Sequence, residues 1–524
     1  MNAIGKIHSK LSSDILPTLL PRPPACPSSS KQKVIHDHLW GSSSFYPWEI
    51  ALLDTPLLQR LRQIHQLGTA SFTYPSAVHN RFSHTLGVTV LAGQLITNLR
   101  DKVSDGTIRC PAQGSPANIV TQKDVYTIRL AALLHDIGHC FFSHCTEFLA
   151  KEELAGLEEE ISVECGRVYS SGEPPKPHEL IAYAIITSPY FDKYWNAHIK
   201  PLFEIQKDAP EPCNFAKPII GTFISSDKHY LTEILNGPYD VDKLEYLHRD
   251  AKSAGLAITY DRDRFFQKIT LHYDEDDKNW QLVMGVHGIQ SVEQMMLNKM
   301  MLAPYVYHHQ KVLAADALVQ DIGRFLLKED SDHNTITINS YLDFLLYTDA
   351  DLLASASTSK NTHLQKLLSF LRNRVFPKRC FILHKDFVVA DNEKEASRAF
   401  SNIRKDIFEN VDGCRKTIAE KIRASDREFT LNDIYITNTS QKAKHKNIAK
   451  SAMVLTQDNT LAPLGGHWVM GNWDETYSAK KEYVFFHISG DNISLGFDAV
   501  LEFLLTTFSV KLDETRIRRS IKLA

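Results

Sequence analysis

Residues 130–147 read LAALLHDIGHCFFSHCTE, an apolar run that delivers His135 and Asp136 side by side, then His139 and His144. If the run stays helical, positions i and i+4 share a face, and His135 and His139 point into one cavity. An imidazole beside a carboxylate offers the nitrogen and oxygen ligands that suit a divalent metal of intermediate hardness. One His–Asp pair leaves a coordination shell incomplete, so further donors must come from elsewhere in the chain. Two stretches meet that need: residues 79–90, HNRFSHTLGVTV, and residues 236–250, NGPYDVDKLEYLHRD. Histidine also suits proton transfer, because its unperturbed pKa lies near neutrality. Glu147, three residues after His144, shares a helical face with it.

The elements that would carry these residues are mostly helical. Leu57, Leu58, Leu61 and Ile64 recur at helical spacing in a helix from Pro56 to Gln66, with Asp54 as its cap and Gly68 as its stop. Leu86, Val90, Leu91, Leu95 and Leu99 stripe a helix that begins near His84, and residues 101–123 read as a surface loop. Val125, Ile128 and Ala132 lead the helix that bears His135 and Asp136. The acidic run 151–160 reads as a solvated helix face, and His178-Glu179 opens another helix. From Tyr239 to Ala251 the spacing puts Asp242, Tyr246 and Asp250 on one face. A methionine-rich helix runs from Met295 to Asp321. Further on, Phe381–Val389 and Tyr483–Ile488 alternate like strands, and Phe497, Val500, Leu501, Leu504, Leu505 and Phe508 stripe an amphipathic helix. The fold class is therefore mostly α, a helical core with a smaller mixed α/β C-terminal lobe. The expected divisions are 1–30, a flexible leader ending in PRPPACPSSS; 31–327, the helical core; and 328–524, the lobe.

The order His84, His135-Asp136, Asp242 resembles the metal-binding set of the HD-domain phosphohydrolases. The further run of LLDTPLLQRLRQIHQLG, YPSAVHNRFSHTLGV, LLHDIGHCFFSH, the pair His178-Glu179 and YDVDKLEYLHRD is similar to the deoxynucleoside triphosphate (dNTP) triphosphohydrolases among them. The likeness runs from about Lys33 to Ile322. It implies a divalent ion (Mn, Fe, Mg or Zn) on His84, His135, Asp136 and Asp242. His139, His144 and His178 would line the scissile phosphate, with His178 as acid or base and Glu147 orienting it. Arg81, Lys243 and Lys299 would supply positive charge, and Tyr246 a hydroxyl, to the phosphates. Gln66 and Asp250 would hold the sugar 3′-hydroxyl, while Tyr307 with Leu67 would crowd the 2′ position. Lys299 stands where the family carries arginine, and lysine keeps the charge but loses the bidentate fork. Regulated relatives bind an activating nucleotide at positions matching Lys33, Asp54 and Arg62; His36 replaces their usual asparagine. The activity implied is hydrolysis of dNTP to deoxynucleoside and inorganic triphosphate by a homo-oligomer. The alternative is an HD phosphodiesterase or nuclease acting on another phosphate ester.

Composition narrows the remaining classes. With 43% hydrophobic and 23% charged residues over 524 positions, the chain is an ordinary globular sequence. A formal net charge of −3 gives no global electrostatic case for nucleic acid. The local patch Lys442, Lys444, His445, Lys446 reads as a solvated loop, with a polyanion contact as the alternative. Eight cysteines without CxxC spacing suggest neither a disulfide framework nor a zinc ribbon, and a reducing cytoplasm fits them. Cys140 and Cys145 read as small thiols beside the histidines. No apolar run reaches the roughly 20 residues of a membrane span, and Asp14 interrupts what would be a signal-peptide core.

Overall fold

The computed structural model describes residues 2–21, 32–109, 118–164, 174–328, 338–439, 452–458, 460–466, 482–490 and 492–522. It divides into two compact units: Met1–Leu302 with Gly323–Lys360 and Lys444–Asn472, and Ala303–Ile322 with Asn361–Ala443 and Trp473–Ala524. This differs from a single boundary after residue 327, because two later segments return to the first unit. The fold class is mostly α with a mixed lobe. Among the described residues, no helix is long and apolar enough to cross a membrane. The basic patch at Lys442–Lys446 lies outside the described residues.

The leader reading fails for residues 2–21. Ala3–Lys10 is a helix whose cap Asn2 accepts the Gly5 N–H, and helical turns continue through Leu11–Ile15 and Leu16–Leu19. Ile7, Leu11, Ile15, Leu16, Leu19 and Leu20 are buried. Burying each such side chain contributes about 1.5–3 kcal/mol, enough to order a segment whose proline density lies further on. The acidic helix Lys151–Glu164 is also only partly a solvated face. It buries Leu154, Leu157 and Ile161, and Glu160 accepts the Ala3 and Ile4 N–H groups at 2.6 and 2.9 Å.

A hairpin pairs Lys33–Asp37 with Gly41–Phe45 in antiparallel register, and Gly41 turns at φ +70°. The segment after it differs from expectation. Asp54 closes the helix Pro47–Leu53, Thr55 precedes Pro56–Gln59, and the chain tightens to a 3-10 turn over Arg60–Gln63. The helix expected near His84 starts at Arg81, where Asn80 accepts the Ser83 N–H, and runs through Ser104. It packs along Gln122–Leu134, which opens with a reciprocal Thr121–Asp124 cap. Pro177–Ile186 carries His178, and Val241–Ser253 begins at the cap Asp240. A four-stranded sheet in the same unit joins Ile269–Asp274, Asn279–Gly285, Met453–Leu455 and Leu461–Pro463. The expected continuous helix Met295–Asp321 is interrupted. Ile289–Leu302 ends in a π turn, Ala303–Tyr307, before Gln310–Lys328 resumes. Pro304 has no N–H to continue the ladder, and its ring displaces the carbonyl one turn back.

The second unit contains a three-stranded antiparallel sheet in the order Lys378–Leu383, Val484–Ile488, Ile434–Asn438. The first strand stops at Leu383, short of the expected Val389, and Lys385–Phe387 turns away in a 3-10 turn. Every residue of the middle strand is buried. Phe381, Phe486, Phe497, Val500 and Phe503 form a core with Ile418 and Ile422 of the helix Val411–Arg423.

Candidate active site and metal centre

The helix carrying the HD pair ends at Leu134, and His135 occupies its cap position. His135 and His139 therefore do not share a helical face. The chain turns over residues 135–138, and the two imidazoles enter adjoining clusters. The turn has a steric cause: a Cβ on Gly138 would sit 2.0 Å from the His178 carbonyl oxygen. Only glycine allows the turn to lie this close to the helix bearing His178.

The first cluster is a cage of metal-donor atoms. His84 Nε2 lies 3.1 Å from Asp242 Oδ1 and 3.3 Å from His135 Nε2. These three satisfy the spacing of a metal cluster, and Asp136 lies beside them, with Oδ1 3.3 Å from His135 Nε2 and Oδ2 3.7 Å from His84 Nε2. Each imidazole is held by its other nitrogen. His135 Nδ1 donates to the Ala132 carbonyl at 2.7 Å, and His84 Nδ1 donates to Glu245 Oε2 at 2.6 Å. Such bonds fix the tautomer and aim the free Nε2 at a common point. Glu245 is fixed in turn by Trp40 Nε1 at 2.8 Å and Arg249 Nε at 2.7 Å, and Arg249 also reaches Asp37 of the hairpin. Gly87 permits this convergence, since a Cβ there would lie 2.2 Å from Glu245 Oε1 and 2.6 Å from Trp40 Nε1.

The electrostatics match the donor set. Burial alone would lower His84, but Glu245, Asp242 and Asp136 outweigh it and raise the imidazole to about 10. Burial would raise Asp242 and Asp136. The imidazoles around Asp242, and Arg81 with His135 and His139 around Asp136, hold both below the usual carboxylate range. Carboxylates held ionised beside two oriented imidazoles make a negative site that favours a cation, which would displace the proton from His84. Two oriented imidazole nitrogens with carboxylate oxygens fit a divalent transition ion or magnesium; the residues present fit the group.

The second cluster gathers around Glu147, which is held well below its ordinary range by His144 and His178 against its own burial. Its Oε1 lies 2.6 Å from His178 Nδ1, 3.0 Å from His144 Nδ1 and 3.2 Å from His139 Nδ1. His139 and His178 stack with centroids 3.8 Å apart. His139 is fully buried and has neither nitrogen in hydrogen-bond geometry, although Nε2 is 3.4 Å from Asp136 Oδ1. Burial with Arg81 and His178 nearby lowers it to about 3, so it is neutral. The His144–Glu147 contact forms across two short 3-10 turns rather than on one helix. The same four side chains also satisfy the spacing of a metal cluster.

Arg81 links the two clusters. Its Nη1 donates to Asp136 Oδ2 at 3.0 Å, its Nε to Ser143 Oγ at 2.9 Å, and its Nη2 lies 3.5 Å from the Gln66 carbonyl. Gln66 is buried with Oε1 unpartnered, and Leu67 is half-buried beside it. Asp250 accepts from His79 Nε2 at 2.7 Å, and burial, with the charges of Asp242, Asp240 and Asp250, pushes the Tyr246 hydroxyl well above its usual range. Lys243 is not a free point charge: its ammonium donates to Asp240 and, at 3.0 Å, to the Gly237 carbonyl. Lys299 is half-buried in the last turn of Ile289–Leu302, and Tyr307 belongs to the second unit. Lys33, Asp54 and Arg62 are exposed; Arg62 lies over the Phe82 ring and donates to Gln59. Sequence reasoning missed Glu245, Trp40 and Ser143. Glu245 carried a signal, an i,i+4 pairing with Arg249 and an i,i+3 offset from Asp242.

Comparison with known proteins places matches on these same segments. The HD domain model matches residues 81–186, and the HD associated region model matches residues 260–441. The chain is 29% identical over 357 residues to deoxynucleoside triphosphate triphosphohydrolase SAMHD1 of Bos taurus, covering 64% of this chain and 54% of that protein. For the Homo sapiens protein of that name the identity is 26% over 367 residues, covering 65% and 55%. The putative HD domain-containing protein L394 of Acanthamoeba polyphaga mimivirus is 25% identical over 404 residues, covering 76% and 75%. The chain thus spans about half the length of the two named triphosphohydrolases.

Proposed function

We infer from its membership of the HD-domain family that this chain is a metal-dependent phosphohydrolase whose substrates are deoxynucleoside triphosphates, cleaved to deoxynucleoside and inorganic triphosphate. The observation that carries the reading is the donor cage of His84, His135, Asp136 and Asp242 set directly beside the Glu147-held histidines, with Asp136 Oδ1 3.3 Å from one cluster and 3.4 Å from the other. Releasing triphosphate intact requires water to attack the α-phosphorus and the 5′-oxygen to leave with a proton. A divalent ion in the cage would supply Lewis acidity, lowering the pKa of water and neutralising charge on a phosphoryl oxygen. His178 is held by Glu147 with one nitrogen committed, which leaves Nε2 to carry the proton to the departing oxygen. Neutral His139 lines the same wall. Arg81, donating to Asp136 and Ser143, sets positive charge beside the phosphates, and Tyr246 offers a hydroxyl donor. Gln66 and Asp250 hold the 3′-hydroxyl, and Leu67 walls the sugar. The proposal extends to a homo-oligomer in the cytoplasm with an activating nucleotide at Lys33, Asp54 and Arg62.

One observation favours a second reading, phosphodiester cleavage at the same site. Lys243 is taken up by Asp240 and Gly237, leaving fewer cations for about four triphosphate charges. Incubating the purified protein with Mn²⁺ or Mg²⁺ and each dNTP, single-stranded DNA or cyclic dinucleotides, then separating the products, decides between them. Triphosphate supports the first reading, and nucleoside monophosphates support the second.

Two predictions follow from the pocket. If Leu67 crowds the 2′ position, dNTPs exceed rNTPs in kcat/KM by roughly 10–200-fold, the range a hydroxyl against a tight wall commands; equal turnover of ATP and dATP removes the deoxyribose assignment. If Lys299 faces the triphosphate, Lys299→Ala lowers kcat/KM roughly ten- to a hundred-fold, because a charged hydrogen bond is worth about 1.5–3 kcal/mol, and Lys299→Arg retains it. Indistinguishable kinetics in wild type and Lys299→Ala would assign the positive charge to Arg81 instead.

A further inference from the structure

Phe142 and Ser143 are consecutive non-glycine residues in the left-handed region, at φ 49° and 55°. Side chains with a Cβ adopt this conformation at a cost, and a pair persists only where surrounding bonds over-determine it. The bonds come from a distant segment. Asp349, the first residue of the helix Asp349–Thr358, is 2% exposed and accepts the Phe142 N–H through Oδ1 at 2.7 Å. Its Oδ2 accepts both the backbone N–H and Nδ1 of His65, at 2.9 and 2.6 Å. Ser143 Oγ then donates to the His65 carbonyl at 2.5 Å and accepts from Arg81 Nε at 2.9 Å. One carboxylate thus clasps the segment leading into Gln66 and Leu67 to the turn leading into His144 and Glu147. A carboxylate suits the place because it accepts on every lone pair, whereas an amide must turn a donor toward one of the three N–H groups.

We propose that Asp349 is a positioning residue of the active site, acting through the Phe142–Ser143 turn and His65 to set Arg81 and His144 against the phosphates. Nothing in the HD motif itself contains it; it lies within the HD associated region. This gives the associated region a role in the chemistry of the domain before it.

The inference rests on the proposed hydrolysis for its substrate only. The test uses the full chain carrying Asp349→Asn, Asp349→Glu and Ser143→Ala, the last of which leaves Asp349 in place and cuts the link from His65 to Arg81. Metal content, amide hydrogen exchange of the peptide holding Phe142, and kcat and KM on dATP and on bis(p-nitrophenyl) phosphate are measured. The expected result for Asp349→Asn is retained metal, exchange at Phe142 faster by about tenfold or more, and kcat lower by roughly ten- to a hundred-fold with a smaller change in KM. Asp349→Glu recovers part of the rate. Because both substitutions act through one link, the double variant Asp349→Asn/Ser143→Ala is scarcely slower than the worse single one. Should Asp349→Asn fail to fold, Ser143→Ala still gives the kcat loss expected of a displaced Arg81. Wild-type kcat in either single variant, or fully additive losses in the double, overturns the proposal. A wild type silent on dATP but active on the diester sinks the dNTP reading, and Asp349 is then judged on the diester.

Discussion

Replacing His135 or Asp136 with alanine is expected to abolish phosphohydrolase activity and strip the protein of its metal. The two side chains are not interchangeable in what they do. His135 presents Nε2 to the cage with its other nitrogen committed to the Ala132 carbonyl, so its loss removes one donor that was already oriented. Asp136 stands between the two clusters with Arg81 on its other oxygen, so its loss also leaves a buried guanidinium without its partner. A metal that stabilises phosphoryl charge is worth several kcal/mol of barrier, and each 1.36 kcal/mol is tenfold, so a fall of roughly 10³-fold or more is expected. Glu245→Gln makes the graded comparison. It leaves all four donors but loosens His84, for which about 10–100-fold weaker metal binding is the usual scale. Elemental analysis of the purified variants checks both, and full metal stoichiometry in His135→Ala and Asp136→Ala together would overturn the ligand assignment.

The second large effect is expected at the Glu147 cluster. His178→Ala should lower kcat by about 10²–10⁴-fold, the usual contribution of a positioned acid or base, while leaving metal content at the wild-type level. Glu147→Gln should do nearly as much, because one carboxylate oxygen lies within 3.2 Å of three imidazole Nδ1 atoms and an amide oxygen lacks the charge to hold them. Metal retention separates this from a general loss of structure. Glu147 is held ionised by His144 and His178 against its own burial. A wild-type kcat in Glu147→Gln would take the cluster out of the chemistry.

The parts of this site legible in the sequence are those whose signal is local. The apolar run into His135-Asp136 and the i,i+4 ladder Asp242, Tyr246, Asp250 can each be read within a dozen residues. Whatever depends on a partner far along the chain was not legible. Helical periodicity puts His135 and His139 on one face, yet the helix stops at Leu134 and the chain turns, with Gly138 lying against the His178 carbonyl. Asp349 sits in an unremarkable TDAD stretch, and its value comes entirely from His65 and Phe142, more than 200 positions away. Lys243 reads as a free cation until Asp240 is seen to hold it. Residues 2–21 carry a helical apolar spacing of their own, which the proline-rich composition just after them masks.

The spacing of the cage donors gives the site a birth order. From His84 to His135 is 51 positions (135 − 84), and from Asp136 to Asp242 is 106 (242 − 136). Drawing together loops of these lengths costs about 3–4 kcal/mol each in chain entropy. A chain emerging from the ribosome folds from its N-terminus, so the helices bearing His84 and His135 can pack long before Asp242 arrives to complete the cage. The Asp349 clasp comes another 107 positions later (349 − 242). On the proposed role of Asp349, the residue that aims the arginine is therefore made after all four cage residues.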